Sequence, residues 1–504
     1  MKARLLLWPA IAAFTVGFAA VAIGRHRAFN DGRFDMGNMT QAIWNTAHGD
    51  FLEVTNLAGR QTSRLGSHFD PILAVLAPLW LAWPSTDMLV VVQALAVALG
   101  ALPVFWLARK HLGSQRAGLG FALAYLLYPA TQWLVLNEFH PVAFACPLLL
   151  FAFWYLDENR LVPFALFSLV AIACKEEIGL VVAGFGIWYL VSRRKRRAGA
   201  AIVAGGIAAS VLAVEVVVPH FAGNASTFYS RYSEVGGTPG GVLKTLFTHP
   251  LTVLKNAFSG SDVDYLAHML VPLGFLFVLS PWLLLAALPE AALNVLSKNP
   301  YQASLYFHYT AGLIPPLVVA SVLGAGSLAK RRPSWKPYLG IGIVVLALLS
   351  NYWLGALPIW YSVPGGNTFQ KNGTKITHHD RITARAVDLI PKDAVVSATN
   401  TLGGHLSARH RILSFPRLDD ATWVAVDETN GSYNDGSAPL PMENDVMVMR
   451  RNAAWRLVFE DDGVLVFRRV SRDGTSTTAA DSATGSPEGR AVQGAAAAGT
   501  TAPN

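Results

Sequence analysis

Apolar runs close to twenty residues long recur along this chain from Leu5 to Leu357, separated by short polar segments. A hydrocarbon core roughly 30 Å thick is crossed by about twenty apolar residues of helix. Inside a bilayer the backbone must satisfy its own hydrogen bonds, which leaves helices as the natural use of such runs. The composition agrees: 53% of the 504 residues are hydrophobic and 14% are charged, with a mean hydropathy of +0.38. Ordinary globular chains carry about 25% charged residues. The expectation is an all-α polytopic membrane protein with about eleven transmembrane helices, followed by a small C-terminal α/β domain.

The net charge of +8 does not point to nucleic acid. The basic residues sit in short clusters between apolar runs, as in Arg193 to Arg197 and Lys330 to Arg332. That is the pattern of cytoplasmic loops under the positive-inside rule. Cys146 and Cys174 lie in apolar segments and read as packing residues, with no disulfide framework. Residues 1–24 have the basic start and apolar stretch of a signal peptide, but are read as an uncleaved first helix.

With a cytoplasmic N-terminus, the first crossing is Leu5 to Ile23, and the polar loop 24–67 lies outside. Pro71 to Trp83 is too short to span and reads as an interfacial helix. Crossings then follow at Met88–Ala108, Ala117–Leu136, Val142–Leu156, Leu161–Ala173, Ile178–Val191 and Ala198–Val218. A second outer loop, 219–264, leads to a short hairpin, Leu266–Leu279 and Trp282–Leu296. Thr310–Leu328 and Tyr338–Leu357 complete a transmembrane body of residues 1–357. From 358 to 470 the chain is polar, with a helix-like stretch Ala384–Ile390 and β-type runs Ala394–Ser397 and Trp423–Asp427, suggesting an extracytoplasmic α/β domain. Residues 471–504 are rich in Ala, Gly, Ser and Thr and read as disordered.

Ionisable groups kept among apolar helices are costly, roughly 2.5–3.5 kcal/mol at a helix centre. This topology puts four such clusters on the outer face: Asp35 with His68 and Asp70, Glu138 with His140, Lys175-Glu176-Glu177, and His308-Tyr309. Asp35 can act as a general base towards an acceptor hydroxyl, or cap an interfacial helix running to Trp44. His68 and Asp70 suit a divalent metal or a phosphate, or Asp70-Pro71 simply opens a helix. Lys175 suits a phosphate as a compact point charge, with Glu176 or Glu177 holding it in place. The same triplet also reads as an ion-paired polar turn. Glu138 and His140 read equally as loop residues, and Glu215 as a group facing a cavity or snorkelling.

Several of these motifs occur in a familiar order. Phe34-Asp35-Met36-Gly37 with Gln41 and Trp44, His68-Phe69-Asp70-Pro71, Glu138-Phe139-His140-Pro141, Lys175-Glu176-Glu177 and His308-Tyr309 resemble a bacterial family of predicted multi-pass proteins of unknown function. That family stands near the GT-C superfamily, membrane glycosyltransferases that use polyprenyl-phosphate sugars. The resemblance covers most of residues 1–360, and extends weakly through Val395 to Ala398 and His405 to Ser407. It implies a GT-C-like fold in the plasma membrane and sugar transfer from a polyprenyl-phosphate carrier to an extracytoplasmic acceptor. Asp35 matches the catalytic acidic residue of the first outer loop. The implied roles are phosphate stabilisation by Lys175, pocket lining by Glu138, His140 and His308, and metal binding near His68 and Asp70. The chain departs from the superfamily in having Phe34 before Asp35 instead of a second acidic residue. Two other classes fit a multi-pass chain: a transporter or flippase of a lipid-linked or small polar substrate, and a non-catalytic scaffold for envelope assembly. The absence of an internal repeat and the one-sided polar clusters speak against a transporter.

Overall fold

The computed structural model describes residues 2–223, 227–431, 435 and 442–470; the expected disordered tail, 471–504, lies outside them. Nearly every anticipated crossing is helical. The exception is Leu266–Leu279, where the helix Gly260–Leu270 breaks into short 3-10 turns at the left-handed pair Gly274 and Phe275.

Helix length departs from the expected count of about eleven crossings. Among the described residues four helices are long and apolar enough to span: Leu5–Arg27, Thr86–Leu112, Arg196–Ala222 and Pro333–Leu354. A fifth crossing is reached if Gln115–Leu127 and Pro129–Leu136, bent by 47° at Tyr128-Pro129, act as one. Apolar helices such as Leu161–Ile172 and Ile178–Ser192 are shorter. Twelve residues of helix rise only about 18 Å, so an apolar run in sequence overstates what a single helix crosses. Ile178–Ser192 is buried along most of its length. It packs so tightly on Pro281–Val295 that a Cβ on Gly184 would stand 2.2 Å from the Ala286 Cα. Small residues permit this closeness of backbones in membrane bundles.

The helix ends sort into two groups. At one end Asp157, with a fully buried side chain, gathers the basic termini of neighbouring helices. Lys110 Nζ stands 2.7 Å and His111 Nε2 2.9 Å from Asp157 Oδ2, and Arg193 pairs with Oδ1. The opposite ends of the same helices lead into the acidic and histidine motifs. Thr86, which starts the helix that ends at Leu112, hydrogen bonds His26 at 2.7 Å.

The first loop is structured throughout. After Arg27 a π-helical turn, Arg33–Gly37, runs into the helix Asn38–Ala47 and then a hairpin, β1 (Glu53–Thr55) and β2 (Gln61–Ser63). Pro71–Leu76 and Ala77–Ala82 form the short segment anticipated as interfacial.

The C-terminal unit is a five-stranded sheet in the order β4-β3-β5-β7-β6. The strands are β3 (Val396–Ala398), β4 (Ile412–Ser414), β5 (Trp423–Asp427), β6 (Trp455–Asp461) and β7 (Val464–Arg469). β3 is parallel to β4 and β5, while β7 is antiparallel to β5 and β6. The anticipated helix starts earlier, at His378–Asp388, because Thr377 and Asp380 form a capping box. One face of the sheet packs Val396, Ala425 and Val466 against Ile382 and Leu402 from the helices His378–Asp388 and Asn400–Leu406. The unit sits directly on the first loop: Gln41 Nε2 donates to the His410 carbonyl at 2.8 Å, and Ile412 N–H to Thr55 Oγ1 at 3.2 Å.

Candidate functional site

The motifs that carry chemistry meet where the first loop covers the helix ends. Asp35 sits inside the π-helical turn and does not cap the following helix, whose N-cap position is Gly37. The cap reading of Asp35 is therefore set aside. Its Oδ1 faces His140 Nε2 at 3.4 Å, and its side chain is 44% exposed. Burial pushes the Asp35 carboxyl up, but His140, Arg64 and His68 outweigh it and hold the group below its ordinary range.

His140 is fixed from behind. Its Nδ1 is 2.7 Å from the Asn137 carbonyl, and its backbone N–H donates to Gln93 Oε1 at 2.9 Å. Gln93 in turn donates to the Glu138 carbonyl at 2.7 Å. The contact to Asn137 places the ring proton on Nδ1, which leaves Nε2 for Asp35. His308 stacks on His140 with ring centroids 3.7 Å apart, its own Nδ1 held by Asn137 Oδ1 at 2.9 Å. Burial, with His140 and Lys175 nearby, drives the His308 imidazole well below its usual value, so it is neutral.

Glu138 has a left-handed backbone, φ 52°, an uncommon conformation for a residue with a side chain. Its Oε2 accepts N–H groups from Met36 at 2.9 Å and Gly32 at 3.3 Å. It thus grips the turn that carries Asp35. Burial, reinforced by Asp35 and Asp31, raises its carboxyl well above the ordinary range.

Lys175 lies next to His308 through Tyr309, with Nζ 5.2 Å from the Tyr309 ring centre. Glu177 holds it at 2.6 Å, the ion-paired turn that the sequence offered as one reading. Burial opposes its charge, but Glu177, Glu290 and Glu176 raise its pKa and keep it cationic. Glu176 turns the other way: its Oε1 meets His68 Nδ1 at 3.0 Å and its Oε2 accepts the Phe69 N–H at 3.0 Å.

A metal at His68 and Asp70 finds no support in this geometry. His68 faces Glu176, whereas Asp70 opens the 3-10 turn Pro71–Leu76 and pairs with Arg64 at 2.9 Å. Among the described residues, three ligand-type atoms come together at His26, Asp31 and His405, and at Asp50, Glu53 and His410. The first group stacks the His26 and His405 rings face to face, 4.0 Å apart and 9° from parallel. One ion cannot lie in both ring planes. The second group is largely exposed. His68 and Asp70 thus each keep a partner of their own, Glu176 and Arg64.

Sequence reasoning passed over Arg64, Asn137, Gln93 and Glu290. Glu290 is 3% exposed, and its Oε2 has no hydrogen-bond partner among the described residues. Gln93 and Glu290 carried a signal, each being a lone polar group inside an apolar run. Glu215, which the sequence did single out, pairs with Tyr229 away from this cluster.

The model of the family described as "Predicted membrane protein (DUF2079)" matches residues 25–466, and the chain belongs to that family of membrane proteins. Among solved structures, the crystal structure of ArnT from Cupriavidus metallidurans in the apo state is similar, with a TM-score of 0.47 and 15% identity, covering 91% of this chain and 98% of that one. No curated protein matches.

Proposed function

We propose that the protein is a membrane glycosyltransferase of GT-C type, which moves a sugar from a polyprenyl-phosphate carrier to a hydroxyl acceptor on the extracytoplasmic side. The observation that carries this reading is the pairing of Asp35, half open, with His140 Nε2 at 3.4 Å, linked through stacked His308 and Tyr309 to the partly buried cation Lys175. A base and a phosphate-binding charge at the two ends of one short relay suit a displacement at an anomeric carbon.

In that reaction the acceptor hydroxyl gives its proton to Asp35 as its oxygen attacks the anomeric carbon. The bond from that carbon to the phosphate oxygen breaks, and its electron pair leaves with the polyprenyl phosphate. Lys175 releases Glu177 and turns its ammonium to the departing phosphate, where a preplaced positive charge counts most as negative charge develops. The stacked, neutral His308 adds no competing charge beside it. The order of motifs noted above, from Phe34-Asp35 to His308-Tyr309, supports the same class.

The test is transfer by the purified protein in proteoliposomes supplied with radiolabelled polyprenyl-phosphate hexoses and pentoses. Asp35→Ala should abolish release of polyprenyl phosphate while the protein stays monodisperse. Equal turnover by that variant, or movement of the intact donor across the bilayer without sugar release, would overturn the reading.

A further inference from the structure

Arg33 stands two residues before Asp35, is 1% exposed, and among the described residues is paired with no carboxylate. Its guanidinium instead donates to three neutral oxygens. Nη1 reaches Ser414 Oγ at 2.5 Å, and Nη2 reaches the carbonyls of Thr55 and Ile412, each at 2.8 Å. Taking an arginine out of water without a counter-charge is costly, so simple packing does not account for it. Two of the three acceptors lie on β4 of the C-terminal sheet, and the third is in the first loop.

The rest of the turn is fitted just as closely to that unit. A Cβ on Gly403 would meet Arg33 Cβ at 2.7 Å, and one on Gly37 would meet Ser407 Oγ at 2.5 Å. The Phe34 N–H donates to Asn400 Oδ1 at 3.3 Å. On its other side the turn is gripped by Glu138 of the membrane body. The π-helical turn is thus clamped between two bodies, and π-turns within helices are frequent at functional sites.

We propose that Arg33 is the positioning residue for Asp35, and that the C-terminal α/β unit is thereby part of the catalytic apparatus. Glu138 fixes the turn against the helix ends and Arg33 fixes it against the sheet. Only with both in place does Asp35 stand opposite His140. This inference rests on the glycosyltransferase reading for its kinetic arm, while its geometric arm stands alone.

The experiment uses the full chain. A pair of cysteines, D35C with H140C, reports the closeness of the two positions by cross-linking with a short bis-methanethiosulfonate, which spans the space that the imidazole fills; the native thiols Cys146 and Cys174 are buried. Rapid cross-linking is expected with Arg33 present, and much slower cross-linking with Arg33→Met. Arg33→Lys, which keeps a donor, should restore part of the rate, and Ser414→Ala, which removes one acceptor and folds more readily, should fall between. In the otherwise native protein, Arg33→Met should lower kcat about a hundredfold, as a misplacement near 1 Å does, with KM little changed. Unchanged cross-linking in both Arg33→Met and Ser414→Ala, or a lower melting point with kcat intact, would overturn the proposal. A native protein without transferase activity but with Arg33-dependent cross-linking would refute the function and leave the positioning role standing.

Discussion

His140 presents Nε2 to Asp35 Oδ1 across 3.4 Å while its Nδ1–H is committed to the Asn137 carbonyl. With Nδ1 so occupied, Nε2 is the ring atom that meets the Asp35 carboxylate, and a proton can pass between the two groups. On this view His140 shares the proton that Asp35 removes. His140→Asn should lower kcat by about 10²-fold, within the usual range for acid–base assistance, and leave donor affinity close to native. Single-turnover release of polyprenyl phosphate measures it, and full activity in this variant would dissociate His140 from the chemistry.

The pH profile follows from the direction of the Asp35 shift. Burial raises its carboxyl and His140, Arg64 and His68 lower it further, so the folded value lies beneath its ordinary 3.8. A depressed value means the carboxylate persists as pH falls and is lost only below the ordinary aspartate range. Loss of Asp35 ionisation should therefore leave kcat untouched down to about pH 4. If kcat fell in acid with a midpoint that Asp35→Glu moved upwards from near neutrality, Asp35 would not be held as described.

Glu176 gives a stability test with the same sign. Burial works against its charge, but His68 and Lys175 prevail and hold it at about 2. Its stabilisation is complete above the unfolded glutamate value of about 4.3 and is lost as pH falls towards 2. Melting points of the native protein and Glu176→Gln should differ at pH 7 and converge as the pH is lowered through this window. A gap that stayed constant across it would show that ionisation of Glu176 contributes nothing.

Arg64 and Asp70 form a buried pair at 2.9 Å, with side chains 8% and 1% exposed. Removing one partner strands the other charge, and Asp70→Leu should cost roughly 3–5 kcal/mol. The double replacement Arg64→Met with Asp70→Leu should cost less than that single change, because no charge is left alone. Unfolding titrations in mixed micelles supply the cycle; additive losses would mean the two groups do not act as a pair.

Gly184 tests the packing beneath the site. A Cβ there would lie 2.2 Å from the Ala286 backbone, so Gly184→Val must part the helices Ile178–Ser192 and Pro281–Val295. The cost should be at least the roughly 1–3 kcal/mol of an overpacked core. Lys175 lies in the turn that leads into the first of these helices and Glu290 within the second, so sugar transfer should fall with it. Thermal unfolding and turnover measured on the same preparation check both.

Much of the helical body was legible because apolar length announces it, and Asp35, Glu138, His140, Lys175 and His308 stood out as polar groups at the ends of apolar runs before the fold brought them together. Pairings were not legible. Nothing in Lys175-Glu176-Glu177 says that Glu177 keeps the lysine while Glu176 crosses to His68, a residue 108 positions away. The partner of Asp70 was hidden in the same way, since Arg64 looked like one more polar loop residue. Strands β3 and β4, three residues each and largely buried, are too short to display a period of two. Crossing number is not legible for a different reason: apolar residues also fill the interior of a bundle, as in Ile178–Ser192, most of which is buried against protein.

The clasp on Arg33 also dictates an order of assembly. Its acceptor Ile412 is synthesised 379 residues later, so the loop after the first helix must wait, unseated, while the whole membrane body is inserted. A chain cut off before β4 holds every helix of that body and still cannot bring its first loop to rest. Seating of the turn that carries Asp35 is thereby tied to the synthesis of β4, late in the chain.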